Sequence, residues 1–381
     1  MADVIEMLLD GNGFTSNEKQ VDMHPERMKN YAPINPLTVI LSRIRKMQAK
    51  NTEVRWVEEE KNPTVLVATT YHSNSATTLT ISFADYLRYE DLLLNTATDE
   101  IISIDDTDIN AGDASCTCTR GQLGSTADVI NVGDLLLILA PAKTEGANYT
   151  TDKVTVDAEK YNYTHIVNKF TSISKSANAE ATWFGPKRKQ NIRKMQDEAY
   201  EEIENALLWS RRSSSSNRRT MGGLHYWLGA GTHVFDCNGI MQWSAFDNAL
   251  TTYREQCPDS DRLVLLAPER IRGVINQWGK GLVRLTGKEN DLGINIDRYN
   301  GAVTLDIVTA PLMAGNGLNH RAFLLDLNRI ALKWLQGRSP KILFNSTNSE
   351  DPEFIRDKFE AEFTMILANE KYHAYFKNWR A

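Results

Sequence analysis

The chain has 381 residues, 41% hydrophobic and 24% charged, with 43 Lys and Arg against 49 Asp and Glu for a net charge of −6. That is a globular composition with room for two or three compact units; it excludes collagen-like, coiled-coil and wholly disordered chains, and its acidic balance argues against bulk nucleic-acid binding. The longest apolar run, residues 135–142, is far below the ~20 residues of a membrane span, no basic-then-apolar secretory pattern opens the chain, and four cysteines make no disulfide framework, which points to a reducing cytosol.

Residues 1–51 carry Gly11, Gly13, Pro33 and Pro36, with one short amphipathic piece at 36–47. So little core-forming pattern predicts an arm that takes its order from whatever it lies on. Residues 52–70 read as strand, with a charged turn at Glu58, Glu59, Glu60 and Lys61. The expected return partner is 153–174, where Val154, Val156, Ile166, Val167, Phe170 and Ile173 interleave with polar residues. An isolated two-stranded ribbon is marginal in water, so this pattern predicts a partner chain.

Between the two ribbon segments the charge changes abruptly. Tyr86 to Asn148 holds 11 acids and 3 bases, a net of −8 that leaves +2 for the rest of the chain. Strand patterns at 99–104, 115–120 and 134–139, punctuated by Gly112, Gly121, Gly124 and Gly133, predict a compact all-β insertion.

The clearest helix starts at Gly185 and Pro186, with Pro at the first helical position, where it is tolerated. Ile192, Met195, Ala199, Ile203, Ala206 and Leu207 recur at steps of 3 and 4 through Trp209. Over 24 residues this spans ~36 Å. Its charges oppose the macrodipole: Lys187, Arg188, Lys189, Arg193 and Lys194 crowd the start, and Asp197, Glu198, Glu201, Glu202 and Glu204 the end. Two explanations stand side by side, a solvated face that tolerates the cost and ends that meet opposite charges on neighbouring subunits. Residues 211–219 then form a Ser-rich loop with Arg211, Arg212, Arg218 and Arg219, either simply solvated or touching nucleic-acid phosphates.

Residues 240–335 read as α/β. A capping-box-like start at Ser244 to Asp247 leads a helix with Phe246, Leu250 and Tyr253 on one side. Strands follow at 263–266, 322–326 and 330–335, a second helix opens at Pro268, and Tyr299, Asn300 and Gly301 mark a hairpin. Finally Ile355, Phe359, Ala361, Phe363 and Met365 alternate with Arg356, Lys358, Glu360 and Glu362, a half-buried strand with Asp357 out of pattern.

Searches for chemistry fail in turn. Gly281, Gly287 and Lys288 miss phosphate-loop spacing. Asp106, Asp108 and Asn110 begin like a calcium loop, but Gly112 is one position late and Thr117 replaces the bidentate Glu. The seven histidines do not pair at zinc spacing, and Cys116 and Cys118 share one side of a strand as packing residues. Cys237 and Cys257 have no local activating base, and Ser172 to Lys175 lies on strand. No catalytic centre, cofactor or metal site is legible, and what remains is an arm, a ribbon, an acidic β unit, a long helix and an α/β core.

This order of parts resembles the tailed-bacteriophage major capsid (major head) proteins, with the Hong Kong 97-type fold. Residues 167–174 look like the returning strand of that family's extended loop. Residues 189–208 are similar to a spine helix, which precedes a variable loop and a Met-Gly-Gly-Leu turn, here Met221, Gly222, Gly223 and Leu224. Arg120 to Thr126 with Gly133 and Asp134 looks like a β insertion, and 359–377 resembles a C-terminal strand pair.

The resemblance implies an α+β chain: an N-terminal arm (1–51), an extended loop (52–85 and 149–174) carrying the β insertion (86–148), a peripheral domain (175–239 and 336–381) with spine helix 186–209, and an axial domain (240–335). It implies pentamers and hexamers closing an icosahedral shell around double-stranded DNA, with scaffolding, portal and cement proteins as partners, no membrane and no cofactor, in a virion assembled in the host cytoplasm. Lys187, Arg188, Lys189, Glu201, Glu202, Glu204, Glu58, Glu59 and Glu60 are then candidates for the assembly interface, and Arg211, Arg212, Arg218 and Arg219 for the DNA-facing surface. The alternative is a cytosolic enzyme whose site is assembled from residues distant in sequence.

Overall fold

The structure is a computed structural model that describes residues 35–44, 47–59, 61–107, 109–110, 112–141, 157–180, 186–215, 218–278, 286–289, 295–315, 317–345 and 353–380. Most of the expected arm, residues 1–34, and Glu60 lie outside them. In chain order the elements are α1 (Pro36–Ile44), β1 (Met47–Ala49), β2 (Glu53–Glu58), β3 (Val65–Val67), β4 (Thr78–Thr80), β5 (Leu92–Asn95), β6 (Ile101–Ile104), β7 (Ser115–Thr119) and β8 (Leu135–Ile138). Next come β9 (Ala158–Tyr163), β10 (His165–Ser174), α2 (Lys175–Ala179), α3 (Lys187–Trp209), β11 (Ser213–Ser215), β12 (Arg218–Thr220), α4 (Leu224–Leu228) and β13 (Val234–Ile240). The rest are α5 (Trp243–Gln256), β14 (Leu263–Ala267), α6 (Glu269–Trp278), β15 (Thr286–Glu289), β16 (Asn295–Asn300), β17 (Thr304–Thr309), β18 (Ala322–Asp326), β19 (Ile330–Leu335), β20 (Lys341–Leu343), β21 (Phe354–Leu367) and β22 (Ala374–Arg380). Contacts divide the chain into a small unit, Val57–Lys160, and a large one made of the remainder. No described helix is long and apolar enough to cross a membrane.

The small unit is all β, with strands in the order β3-β8-β5-β6-β7-β4. Ala68 bridges Ile81, the Ser82 N–H donates to Val67 O at 2.8 Å and the Thr69 N–H to Thr80 O at 3.1 Å, so the two outer strands meet and the sheet closes into a barrel. Period-2 alternation sends Leu66, Leu79, Leu93, Ile102, Ile104, Cys116, Cys118 and Leu136 inward. The barrel is therefore larger than the expected insertion at 86–148. β3 and β4, expected as ribbon, supply core residues, and β2 ends at Glu58, where the charged turn within 52–70 was expected.

Sequence could not show what locks one end of this barrel. Glu100, fully buried, takes a fork from Arg120, Nε to Oε1 at 2.7 Å and Nη2 to Oε2 at 2.6 Å, and also accepts the Gly121 and Asp128 N–H groups. Arg120 also donates to Ser73 O and Asp128 O. Gly121 holds φ at +63°, and a Cβ there would come within 3.2 Å of Ala127 N and Ser125 O, so the turn that aims Arg120 inward requires glycine.

In the large unit, a five-stranded sheet runs β1-β19-β21-β10, with β20 also on β21. The long helix α3 packs on β10 and β21, burying Met195, Ala199, Ile203, Ala206, Leu207 and Leu208. Pro186 sits just before α3, in the capping position, rather than at its first helical residue. The ribbon expectation needs revision here. β2 pairs β9, but β10 pairs β21 antiparallel from His165↔Phe363 to Ser174↔Phe354. The ribbon stops at Thr164, whose buried hydroxyl donates to Glu362 at 2.6 Å, and beyond it Val167 and Ile173 are buried.

The second sheet runs β13-β22-β18-β14-β17-β16-β15. β14 and β18 are buried throughout, with Val264 and Leu266 facing the core under α3 and Leu263, Leu265 and Ala267 facing α5 and α6. Burial on both faces is why these strands read as continuous apolar runs. β13, β19 and β22 cross the expected peripheral–axial partition: β19 joins the five-stranded sheet, while β13 and the C-terminal β22 join the seven-stranded one, β22 lying between β13 and β18 rather than beside β21. The capping box expected at Ser244 is absent, since α5 starts at Trp243 behind Gln242. Asp247 instead accepts the Ala302 N–H at 2.8 Å and faces Tyr299 Oη at 3.3 Å, holding the Gly301 turn against α5. A Cβ on Gly301 would lie 2.5 Å from the Tyr299 ring, so the turn closes only with glycine.

Candidate functional site

The charges of α3 are largely satisfied within the chain. At its start, Arg188 forks onto Asp357, with Nε–Oδ2 at 2.7 Å and Nη2–Oδ1 at 2.6 Å, and Nη2 also reaches Asn345 Oδ1 at 2.8 Å. This explains why Asp357 breaks the alternation of β21. It points to the core side, is 1% exposed, and the Arg188 guanidinium holds its carboxyl below the ordinary carboxylate range. Mid-helix, Lys169 of β10 sits 3.0 Å from both Glu198 and Glu202. Near the end, Glu204 is fully buried and belongs to the apolar face of α3. Its Oε1 accepts the Leu37 N–H at 2.9 Å, and its Oε2 accepts the Thr38 N–H at 2.7 Å and the Thr38 hydroxyl at 2.6 Å. Those amides are first-turn donors of α1 with no partner inside that helix, so one carboxylate ties α1 to α3. Burial pushes the Glu204 carboxyl up, and the three donors only partly counter it.

Two of the interface candidates are therefore corrected: Arg188 and Glu204 are committed to partners in their own chain and are not free to meet a neighbour. Glu202 is shared with Lys169. Lys187 and Lys189 are exposed and Glu201 half-buried, while Glu58 is buried on β2 and Glu59 is exposed. Glu60 lies outside the described residues.

The arginine loop is a short hairpin, β11 against β12, rather than irregular loop. Its four arginines divide into two kinds. Arg212 stacks 4.1 Å over the Tyr161 ring, approaches Tyr226 and Trp227, and donates to Tyr161 O at 2.9 Å. Arg219 reaches Glu362 at 3.4 Å, and that buried carboxylate is also held by Arg338 at 2.7 Å. Arg211 and Arg218 are exposed. The candidate DNA-facing set thus contracts to these two, because packing consumes the others.

Burial governs the remaining ionisable groups. It pushes the thiols of Cys116 and Cys237 up to about 12 and those of Cys118 and Cys257 to about 11, so none is a ready thiolate. Burial also pulls His373 down to about 3, and its Nδ1 accepts the Asp326 N–H at 3.1 Å. For Glu100, burial alone would raise the carboxyl, but Arg120 and the Asp128 and Gly121 N–H groups outweigh it and the net shift is downward. Among the described residues no three His, Cys, Asp or Glu side chains are grouped to hold a metal. In the would-be calcium loop, Asp106 accepts the Thr117 N–H and Asp105 the Thr119 hydroxyl, so these acids tie down their own turn. The enzyme alternative finds no support in this geometry.

A family model described as the SU10 major capsid protein matches residues 29–380. No curated protein matches the sequence. Among solved structures, the chain is similar to the capsid asymmetric unit of cyanophage A-1(L), at 9% identity, covering 96% of this chain and 99% of that one with a TM-score of 0.56. It is also similar to a Mycobacterium phage Bobi structure, at 10% identity over 95% and 96% of the two chains with a TM-score of 0.49. A chain of the holo-SrpI encapsulin complex of Synechococcus elongatus PCC 7942 matches at 13% identity over 59% and 77%, with a TM-score of 0.44. Near-complete coverage of the cyanophage chain identifies the fold as the Hong Kong 97-type capsid fold.

Proposed function

Since this chain belongs to the SU10 major capsid protein family, we propose that it closes an icosahedral head through pentamers and hexamers around double-stranded DNA. Its capsid-forming role in the virion follows from that membership; the finer statements are our reading. The observation that carries it is the family match over residues 29–380, nearly the whole described chain. Shell building of this kind sums many modest interfaces, so each contact can be weak while the closed particle is stable. Lys187, Lys189, Glu201 and Glu59 are the charges we assign to contacts between copies. Arg211 and Arg218 are assigned to nonspecific contact with packaged DNA, which needs only mobile cations near phosphates. Scaffolding, portal and cement proteins complete the expected partners, with assembly in the host cytoplasm.

Light scattering and negative-stain microscopy of the purified tag-free protein test this directly. Uniform shells, or pentamers and hexamers, are expected. A chain that stays monomeric at high concentration, across salt and with scaffold supplied, refutes it. Replacing Arg211 and Arg218 by Ser should leave assembly intact and lower DNA retention, whereas unchanged retention removes the assignment of those two residues.

A further inference from the structure

Asn-Gly occurs four times in the sequence, and two copies, Asn238-Gly239 and Asn300-Gly301, lie wholly among the described residues. The carboxamide carbon of an asparagine is within reach of the backbone nitrogen of the next residue, and glycine hinders that approach least because it has no side chain. Sequence ranks the two copies equally. Their surroundings separate them.

Asn238 sits in a β-bulge on β13, an end strand of its sheet. Asp236 pairs Lys377 and Gly239 pairs Trp379, with a shift of register between them that leaves Asn238 out of the ladder. Asn238 is exposed at a φ of 46°, and Gly239 holds a φ of +114°. The Asn238 N–H donates to Asp236 Oδ1 at 3.1 Å, whereas its carboxamide has no hydrogen-bond partner among the described residues. A Cβ built on Gly239 would meet nothing within 4 Å, so the backbone there has room to move.

Asn300-Gly301 is held on every side. Asn300 pairs Thr304 across β16 and β17. A Cβ on Gly301 would lie 2.6 Å from both Tyr299 Oη and Asp247 Oδ1, and Asp247 also holds the Ala302 N–H at 2.8 Å. Ring closure at Gly301 N must displace main chain that these contacts fix. Asn378 gives a further contrast. It is exposed and left-handed like Asn238, at a φ of 57°, but its Nδ2 donates to both Asp236 oxygens at 3.0 and 3.1 Å, and the residue after it is the buried Trp379.

We propose that Asn238 is a site of spontaneous deamidation in the folded chain. Gly239 N loses its proton to solvent base and attacks Asn238 Cγ; the Cγ–Nδ2 bond breaks, and the nitrogen leaves as ammonia. The resulting five-membered succinimide adds one water. Opening at Cγ gives aspartate, and opening at the main-chain carbonyl gives isoaspartate, whose backbone runs through the former side chain. No oxidant or enzyme is needed. Either product places a new carboxylate two residues from Asp236, whose own carboxyl is held below the ordinary range by Asn378 and by the Asn238 N–H. Isoaspartate also lengthens β13 by one backbone atom ahead of the Gly239–Trp379 and Ile240–Arg380 pairs. This inference is independent of the shell-forming reading.

The test incubates the full-length folded chain at pH 8 in heavy-oxygen water and maps its peptides by mass spectrometry, with the same chain in guanidinium as reference. Folding should slow conversion at Asn300 at least tenfold more than at Asn238, and both products should accumulate at position 238. A smaller ratio overturns the proposal, as does an intact Asn238 in the folded chain once the unfolded chain has fully converted. Asp247→Ala, which releases the Ala302 N–H, should raise the folded-state rate at Asn300 at least threefold and leave that at Asn238 unchanged. An unchanged Asn300 rate overturns the account of why the two copies differ.

Discussion

Glu204→Ala is the sharpest single perturbation of α3. It removes a fully buried carboxylate and strands three donors, the Leu37 and Thr38 amides and the Thr38 hydroxyl. Each buried donor left without a partner costs about 1–3 kcal/mol. Water entering the vacated volume and local opening of α1 offset part of the total, and so does relief from burying the carboxyl. A net loss of about 3 kcal/mol is expected, which for a unit of this size corresponds to a fall in Tm of roughly 6–12 °C. Glu204→Gln keeps one carbonyl acceptor and points an NH2 at a donor, so it should lie between wild type and Ala. Thr38→Val removes one of the three donors, and its effect should couple to that of Glu204→Ala by about 1 kcal/mol or more in a double-mutant cycle. Urea unfolding of the unassembled chain, with hydrogen exchange at Leu37 and Thr38, reads all of this. A loss below 0.5 kcal/mol for Glu204→Ala, or a Gln variant weaker than the Ala variant, would refute the account of α1 as tethered through this carboxylate.

Other outcomes follow from the same geometry. Reversing Lys187 and Lys189 to Glu should leave monomer stability within about 0.5 kcal/mol and lower shell yield, because both are exposed; Arg188→Glu should destabilise the monomer itself by about 3–5 kcal/mol, since it strands buried Asp357. Thermal melts of the unassembled variants, paired with shell yield, distinguish these two cases. Acid should unfold the protein in two stages. His373, held down at about 3 against an ordinary 6.5, contributes stability that is present above pH 6.5 and lost as pH falls towards 3, at about 1.4 kcal/mol per pH unit. Asp357, Glu360 and Glu100 have lowered values, so their contributions are present above the ordinary carboxylate range and vanish below it; Glu204 and Asp326, pushed up by burial, run in the opposite sense. A pH series of melting temperatures that stays flat from 7 to 4 would contradict this assignment. Native protein at pH 8 should react slowly with iodoacetamide at all four cysteines and quickly after unfolding, and rapid labelling of any one would show that its burial is wrong.

Much of the fold was legible wherever burial alone dictated it. β18 and β19 carry their expected bounds because each is a mostly apolar run, buried throughout in β18 and over Ile330, Ala331 and Leu332 in β19, and α3 was readable from its 3-and-4 spacing. Partnerships were not legible. Arg188 and Asp357 are 169 residues apart, and nothing local marks them as a pair beyond the misfit of Asp357 in its strand. Glu204 looked like one more member of an acidic run, although its place between Ile203 and Ala206 lies on the buried face of the helix. β10 read as ribbon because Val167, Phe170 and Ile173 suit any strand, and only the ten-residue pairing with β21 decides where it lies. The surface charges suggested contact between copies, yet pairs formed within the chain absorb about half of them.

Closure of the small barrel has a consequence for variation. The bridges at Ala68–Ile81 and His72–Ile130 return its wall to its starting strand, and the Glu100–Arg120 lock is made entirely from residues of the same unit. Such a unit is spliced into its host at two points, and substitutions inside it leave the pairing of the two larger sheets untouched. It can therefore diverge in sequence, charge and outer surface without disturbing the strand order that builds the rest of the chain.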